Sequence, residues 1–242
     1  MVDIHCHILP GLDDGAADMD EALVMARVAA QSGSRTIIAT PHAGHAEAKA
    51  SPEAIRAAVK SLQQQVDAAG IDLKLLPGME LLCGSRLERI LHNGAYLTLA
   101  GSRYLLVEFY FDETLPAIRG MLHSIVEHGL TPVIAHPERY EAVQRDPWVA
   151  AAWMEQGYGI QINAGSLLGY LGSDAKRTGK WLVRNGLAHL AASDGHNLET
   201  RPPRLQAVRD YLEDRVSVAC AEALLFDNPQ RILQDLPLPR YR

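Results

Sequence analysis

The chain has 242 residues, 48% of them hydrophobic and 21% charged, with a formal net charge of -6. That length and apolar content support a sizeable core, and the acidic balance excludes a broad basic footprint for nucleic acid. Cys6, Cys83 and Cys220 form neither a disulfide framework nor a Cys-x-x-Cys zinc pattern, and no apolar run approaches the roughly 20 residues of a membrane span.

The first strand covers Val2-Asp3-Ile4-His5-Cys6-His7-Ile8. Starting at residue 2, it leaves no room for a signal peptide, so a reducing, cytoplasmic location is expected. Side chains alternate in a strand, so Asp3, His5 and His7 are expected on one face. Val2, Ile4, Cys6 and Ile8 are expected on the other, buried against helices. A loop follows at Pro10-Gly11-Leu12-Asp13-Asp14-Gly15. Asp18 and Glu21 resemble a capping box before a helix over 22–30. A short strand over 36–40 stops at Pro41-His42. Ser51-Pro52 opens a long helix that ends near Gly70.

A third strand region runs over 73–76 and continues over 79–81. A short helix is expected over 85–92 and a fourth strand over 104–109. A helix over 114–128 leads to a fifth strand over 132–135, then His136-Pro137-Glu138-Arg139. After a helix over 147–156 come a sixth strand (159–162), a helix (173–185) and a seventh strand (188–192). Helices over 204–213 and 229–233 close the chain.

Short apolar strands alternating with amphipathic helices predict an α/β fold with a parallel sheet buried on both faces. Seven such units predict a seven-stranded (β/α) barrel, a distorted TIM-like form, with a doubly wound open sheet as the other possibility. No linker or repeat divides the chain, so one domain over 1–242 is expected.

Ligand-type residues collect after these strands. They are Asp14 after the first, His42 after the second and Glu80 near the end of the third. Glu108 lies in the fourth, His136 follows the fifth, and Asp194 and His196 follow the seventh. With His5 and His7 they make five histidines and four carboxylates. In parallel barrels the C-terminal strand ends form one rim, so distant residues become neighbours. Mixed His and carboxylate ligation suits zinc, manganese or iron(II), and nine groups exceed what one ion needs. A multinuclear centre with a bridging carboxylate is therefore expected. Three divalent ions would exceed the four carboxylates by about two charges, which attracts a phosphate dianion. Bound ions also bring the pKa of water toward roughly 7, supplying a nucleophile. Arg139 and Arg201 follow two of the strand ends and are the candidates to hold phosphate oxygens.

Taken singly, each of these residues has a structural reading: a hydrogen-bonded histidine, a capping carboxylate, a surface arginine. Their combination favours the metal reading. His92, His123, His128 and His189 are read as structural or surface residues, and so is His45, though it lies close to His42. Asp13 is placed to exchange roles with Asp14, and Asp3 is expected to support a ligand rather than be one. Cys83-Gly84-Ser85-Arg86-Leu87-Glu88-Arg89 matches the C-x5-R loop of cysteine-dependent phosphatases. It lacks the Ser or Thr after the arginine and directly follows Glu80, so a thiolate route is not expected.

These residues resemble the PHP (polymerase and histidinol phosphatase) superfamily. The closer resemblance is to its bacterial tyrosine-protein phosphatase branch, encoded with capsule and exopolysaccharide synthesis genes. The stretches are Asp3–Gly15, Ala39-Thr40-Pro41-His42, Pro77-Gly78-Met79-Glu80, Leu106-Val107-Glu108-Phe109, Ile134–Arg139, Asn163-Ala164-Gly165-Ser166 and Ala192–Asn197, with Arg201-Pro202 after them. The resemblance implies a barrel with three divalent ions, often manganese, that dephosphorylates phosphotyrosine. It implies one ion on His5, His7, Glu80 and Asp194. A second would share Glu80 and take Glu108 and His136, and a third would take Asp14, His42 and His196. Arg139 and Arg201 fall where the family binds phosphate. The implied partner is a bacterial tyrosine kinase of polysaccharide export. The family often has a small residue at Cys6 and Ala at Gly195; Cys6 is expected to point away from the metals. Two other functions fit the same residues, a small-molecule phosphatase such as a histidinol phosphatase and a non-catalytic metal-binding protein.

Overall fold

The computed structural model describes residues 1–44 and 49–239. Its strands are β1 Val2–Cys6, β2 Thr36–Ala39, β3 His42–Ala43, β4 Lys74–Pro77, β5 Glu80–Leu82, β6 Tyr104–Glu108, β7 Thr131–Ala135, β8 Gly159–Asn163 and β9 Leu190–Ala192. One sheet has the order β1-β2-β4 and the other β3-β5-β6-β7-β8-β9. Every pairing is parallel. The segment β3 continues β2 past Thr40-Pro41, and β5 continues β4 past Gly78-Met79. The described strands therefore occupy seven positions in an α/β, barrel-like arrangement.

The second position breaks where the sequence reading ended its strand, but the chain resumes as β3. Pro41 has no N–H to give a ladder, while its carbonyl still accepts from Glu80 N at 3.2 Å. Beyond β9, the chain reaches β1 through a bridge between Cys6 and Gly195. His7 N donates to Gly195 O at 2.8 Å, and Asp194 N to His5 O at 2.9 Å. No continuous ladder joins the two sheets among the described residues.

Strict alternation fails in β1. Asp3 pairs with Ile37 and Cys6 with Ala39, so β1 carries one extra residue against β2. Such a bulge re-aims the side chains that follow it. Val2 and Ile4 consequently do not pack outward with Cys6 and Ile8. They join a cluster with Ile38, Leu106, Val133, Ala135 and Ala192, capped by Leu99, Ile232 and Leu238. Leu106 pairs in register with Glu80, so this apolar plug lies on the same side of the sheet as the ligand-type residues. Cys6 and Ile8 pack in the larger cluster shared with the helices, together with Ile37, Leu105, Val107 and Ile134.

The helices begin as their capping residues direct. Asp18 Oδ1 accepts from Glu21 N at 2.9 Å, and Glu21 Oε2 accepts from Ala17 N at 2.9 Å, opening the helix Met19–Gln31. Ser51 caps the helix Pro52–Ala68, accepting from Ala54 N at 3.2 Å. Short helices at Glu141–Arg145, Ala164–Leu168 and Val218–Glu222 escaped the sequence reading. At five residues each, they are too brief for periodicity to register. No helix among the described residues is long and apolar enough to cross a membrane.

Candidate metal centre

The nine ligand-type residues meet at the C-terminal ends of the strands. His5, His7, Glu80, His136, Asp194 and His196 are all buried. His42 is partly exposed, and Asp14 lies at the surface with 67% of its side chain accessible. Two of them terminate their strands in left-handed backbone, His136 at φ 32° and Asp194 at φ 51°. Non-glycine residues in that region are uncommon and collect at functional sites.

The donor atoms fall into connected sets. His5 Nε2 and His7 Nε2 are 3.1 Å apart, and Glu80 Oε2 lies 3.1 and 3.2 Å from them. Asp194 Oδ1 stands 3.4 and 3.3 Å from the same two nitrogens. Glu80 Oε1 faces His136 Nε2 at 3.0 Å, and Glu108 Oε1 lies 3.6 Å from that nitrogen. Asp14 Oδ1 is 3.6 Å from His42 Nε2 and 3.5 Å from His196 Nε2. Donors bound to one ion at about 2.1 Å lie roughly 3.0–3.5 Å apart, close to the 3.0–3.6 Å found here. The sets overlap: His5, His136 and Asp194 also form a group, as do His42, Glu80 and Glu108.

Hydrogen bonds orient several of these rings. Gln161 Oε1 accepts from His136 N at 3.2 Å, which identifies the amide oxygen, and the same atom faces His5 Nδ1 at 3.0 Å. His5 Nδ1 must therefore carry the proton. His7 Nδ1 faces Asp13 Oδ2 at 2.7 Å, and His196 Nδ1 faces the carbonyl of Asp194 at 2.9 Å. In their neutral forms all three rings present an Nε2 lone pair to the centre. Glu80 Oε2, Asp194 Oδ1 and His196 Nε2 are buried without a hydrogen bond among the described residues. Converging lone pairs and unbonded carboxylate oxygens are what cations would satisfy. The residues present therefore fit divalent ions.

The electrostatics point the same way. Burial opposes ionisation of Glu80, but His5, His42 and a hydrogen bond from His136 outweigh it and hold the carboxyl well below its usual range. Asp194 is likewise held low, against burial, by His5, His7 and Arg201. Burial disfavours charge on His7, yet its bonds to Asp13, Asp194 and Glu80 hold its pKa well above 6.5. Glu108 is pushed up to about 7 by burial and by the neighbouring Glu80. Without ions, His7 and Glu108 thus favour holding a proton, whereas burial lowers His136 to about 4 and also lowers His196.

Asp13 and Asp14 sit differently around the donor cluster. Asp13 Oδ2 accepts from His42 N at 2.8 Å as well as facing His7, and its Oδ1 accepts from Gly15 N at 2.9 Å. It holds His7 and the His42 backbone from behind, while Asp14 turns an oxygen toward His42 and His196. Gly15 is required for this turn: a Cβ there would lie 2.0 Å from His7 O. Asp3 Oδ1 accepts from Ser193 N at 3.0 Å, placing it behind the centre. Gly195 stands where the resemblance expects Ala because a Cβ would lie 2.8 Å from Pro203 Cα.

A cavity of about 610 Å³ opens over the centre, with Asp14, His42, Glu108, His136, Arg139 and Arg201 among its walls. Arg201 is tied to Asp194 Oδ2, and Arg139 Nη1 lies 3.8 Å from the same oxygen. Asn163 Nδ2 also donates to it at 2.5 Å. Asp194 thus turns one oxygen to the donor cluster and the other to the arginines. The loop carrying Arg201 is folded by Asn197 Oδ1, which accepts from the backbone N–H of Glu199, Thr200 and Arg201.

Cys83 offers no thiolate. It is fully buried, burial raises its thiol, and its N–H is spent on Glu108 O at 2.8 Å. Cys6 is buried in the core with its Sγ 3.5 Å from Gly195 O, away from the donors. His189 is structural: Ile160 N donates to its Nδ1 at 3.2 Å, and its Nε2 donates to Pro239 O at 2.6 Å. His92, His123 and His128 are outside the donor groups, and His45 lies outside the described residues. Gln161 was missed, and Asn163, quoted in one of the resembling stretches, was given no role of its own. Their signal was available: polar residues two apart among Gly159, Ile160 and Ile162, the same pattern as His5 and His7.

A family model for capsular polysaccharide synthesis, CpsB/CapC, matches residues 1–234. The chain belongs to the CpsB/CapC family. Tyrosine-protein phosphatase YwqE of Bacillus subtilis is similar to this CpsB/CapC chain. The two are 40% identical over 213 residues, which span 88% of this chain and 84% of YwqE. A crystal structure from work on YwqE and on CpsB of Streptococcus pneumoniae, described as metal-dependent tyrosine phosphatases, superposes with a TM-score of 0.92. It is 36% identical and covers 100% of this chain and 97% of that one. The lactonase Lmo2620 of Listeria monocytogenes, at 12% identity and a TM-score of 0.63, covers 96% of this chain and 94% of its own. It shares the fold alone.

Proposed function

We propose that this CpsB/CapC chain is a metal-dependent protein-tyrosine phosphatase of polysaccharide synthesis, formed by one PHP-type domain and working in the cytoplasm. The carrying observation is the convergence of nine donor residues, four of which (Asp14, His42, Glu108 and His136) line one cavity with Arg139 and Arg201. The proposed centre holds three divalent ions, manganese first among the candidates. The ligand sets are His5, His7, Glu80 and Asp194; Glu80, Glu108 and His136; and Asp14, His42 and His196. Glu80 Oε2 lies beside His5 and His7 and its Oε1 beside His136, so Glu80 would be the residue shared by the first two sets. When bound, such ions supply a water of lowered pKa and neutralise phosphate charge.

The chain's own residues supply the rest. Arg139 and Arg201, both partly exposed at the mouth, are the groups to hold the phosphate's non-bridging oxygens. Their shared anchor on Asp194 fixes them relative to the donors, so phosphate binding and alignment are coupled. Asp13, Gln161 and the Asp194 carbonyl keep His7, His5 and His196 turned inward. The proposed partner is a phosphotyrosine protein, in particular a bacterial tyrosine kinase of polysaccharide export.

The test is elemental analysis joined to turnover, before and after chelation, with a phosphotyrosine peptide and histidinol phosphate side by side. Bound divalent metal and chelator-sensitive hydrolysis of the peptide are expected. Preference for histidinol phosphate would move the reading to a small-molecule phosphatase. Bound metal with no hydrolysis of either would leave a metal-binding protein.

A further inference from the structure

We infer that Phe111 is a specificity-determining residue that receives the aromatic ring of the substrate, selecting aryl over alkyl phosphates; the inference rests on the phosphatase reading above. Phe111 lines the cavity beside Arg139, yet 41% of it is exposed. A large apolar side chain left open at the mouth of a charged cavity needs a reason. Its surroundings show that it is held there. Its ring lies under the Arg139 guanidinium, whose Cζ is 4.3 Å from the ring centroid. His136 meets it edge to face at 6.1 Å, and Tyr140 lies at 6.2 Å. The carbonyl of Phe111 accepts from Glu141 N at 2.8 Å, tying its backbone to the segment that carries Arg139. The ring is therefore registered against an arginine proposed to bind phosphate.

Depth makes this register selective. The proposed ligands His5, His7 and Glu80 are wholly buried, whereas Arg139 and Phe111 stand at the rim. A phosphate that reaches the floor must be carried on an arm that crosses the rim. Phosphotyrosine crosses it with a flat ring, one ring's length farther from the main chain than the phosphate of phosphoserine. Phe111 offers that ring an offset or edge-to-face partner. An alkyl phosphate has nothing to place against it.

The test compares binding of benzylphosphonate and ethylphosphonate to the metal-loaded protein by calorimetry. Both carry the same anion, and only the first carries a ring where a phenyl ester would. The wild type is expected to favour benzylphosphonate, with the affinity ratio falling roughly tenfold in Phe111→Ala and holding in Phe111→Tyr. Equal binding of the two probes by the wild type, or an unchanged ratio in Phe111→Ala, overturns the inference. So does an equal loss for both probes, which would mean that Phe111 acts only through Arg139. Binding is read without turnover. A protein that binds the probes with this ratio but hydrolyses no phosphotyrosine would sink the phosphatase reading and leave the ring site standing.

Discussion

The Nε2 atoms of His5 and His7 face each other across 3.1 Å, and in the neutral rings the bonding of their Nδ1 atoms turns a lone pair of each toward the gap. Two lone pairs at that distance repel unless a proton or a metal ion lies between them. Glu80 and Asp194 add carboxylate oxygens to the same point. The fold has thus gathered electron pairs that only positive charge makes stable.

Metal removal should therefore cost stability as well as activity. At a metal concentration a hundred times its dissociation constant, linkage gives about 2.7 kcal/mol, or a melting temperature roughly 5–10 °C higher than after chelation. Scanning calorimetry with and without chelator, followed by manganese addition, measures it. Identical melting curves would contradict a centre of this kind.

Asp13 and Asp14 should separate in mutagenesis. Asp13→Ala removes the partner of His7 Nδ1 and should weaken metal affinity by about 10–100-fold, with turnover restored by excess metal. Asp14→Ala removes a proposed donor, and excess metal should not restore it. Metal titrations of activity in the two variants decide the point, and the reverse pattern would exchange their roles.

Arg139→Lys and Arg201→Lys should each lower kcat/KM for phosphotyrosine by about 10²–10³ while leaving the bound metal in place. A lysine keeps the charge but loses the planar fork that matches two phosphate oxygens. Steady-state kinetics with parallel metal analysis tests this. Wild-type kinetics in both variants would remove the arginines from the phosphate site.

Cys83→Ala should keep activity within about twofold and lose about 1–2 kcal/mol of stability, since the thiol is buried packing. Iodoacetamide should leave the native enzyme's turnover unchanged. Loss of activity in the variant would reopen the thiolate route.

His189 should make the fold acid-sensitive. Burial lowers its pKa from 6.5, more than its bond to Pro239 raises it. The unfolded chain then binds the proton more readily, so stability falls as pH drops through and below about 6.5. His189→Gln should be less stable at pH 7.5, where the bonds to Ile160 and Pro239 are disturbed, but should lose less on going to pH 5.5. Denaturant melts at the two pH values measure the difference. Equal pH slopes would assign the sensitivity elsewhere.

Much of this was legible from residues alone. Parallel βα units bring every C-terminal strand end to one rim whatever the details of packing. A sequence with His42, Glu80, His136 and Asp194 at the ends of four of its apolar strands was therefore bound to gather them once the fold was right. What the alternation of β1 could not reveal is its extra residue, which turns Ile4 toward the plug while keeping His5 and His7 at the centre. The division of labour between Asp13 and Asp14, the grip of Gln161 on His5 and the seat of Phe111 on Arg139 were equally hidden. Residue type and spacing along the chain determine which chemistry can assemble. Register between strands and the rotamers that packing permits decide which atom of each side chain faces which neighbour, and those exist only in the folded molecule.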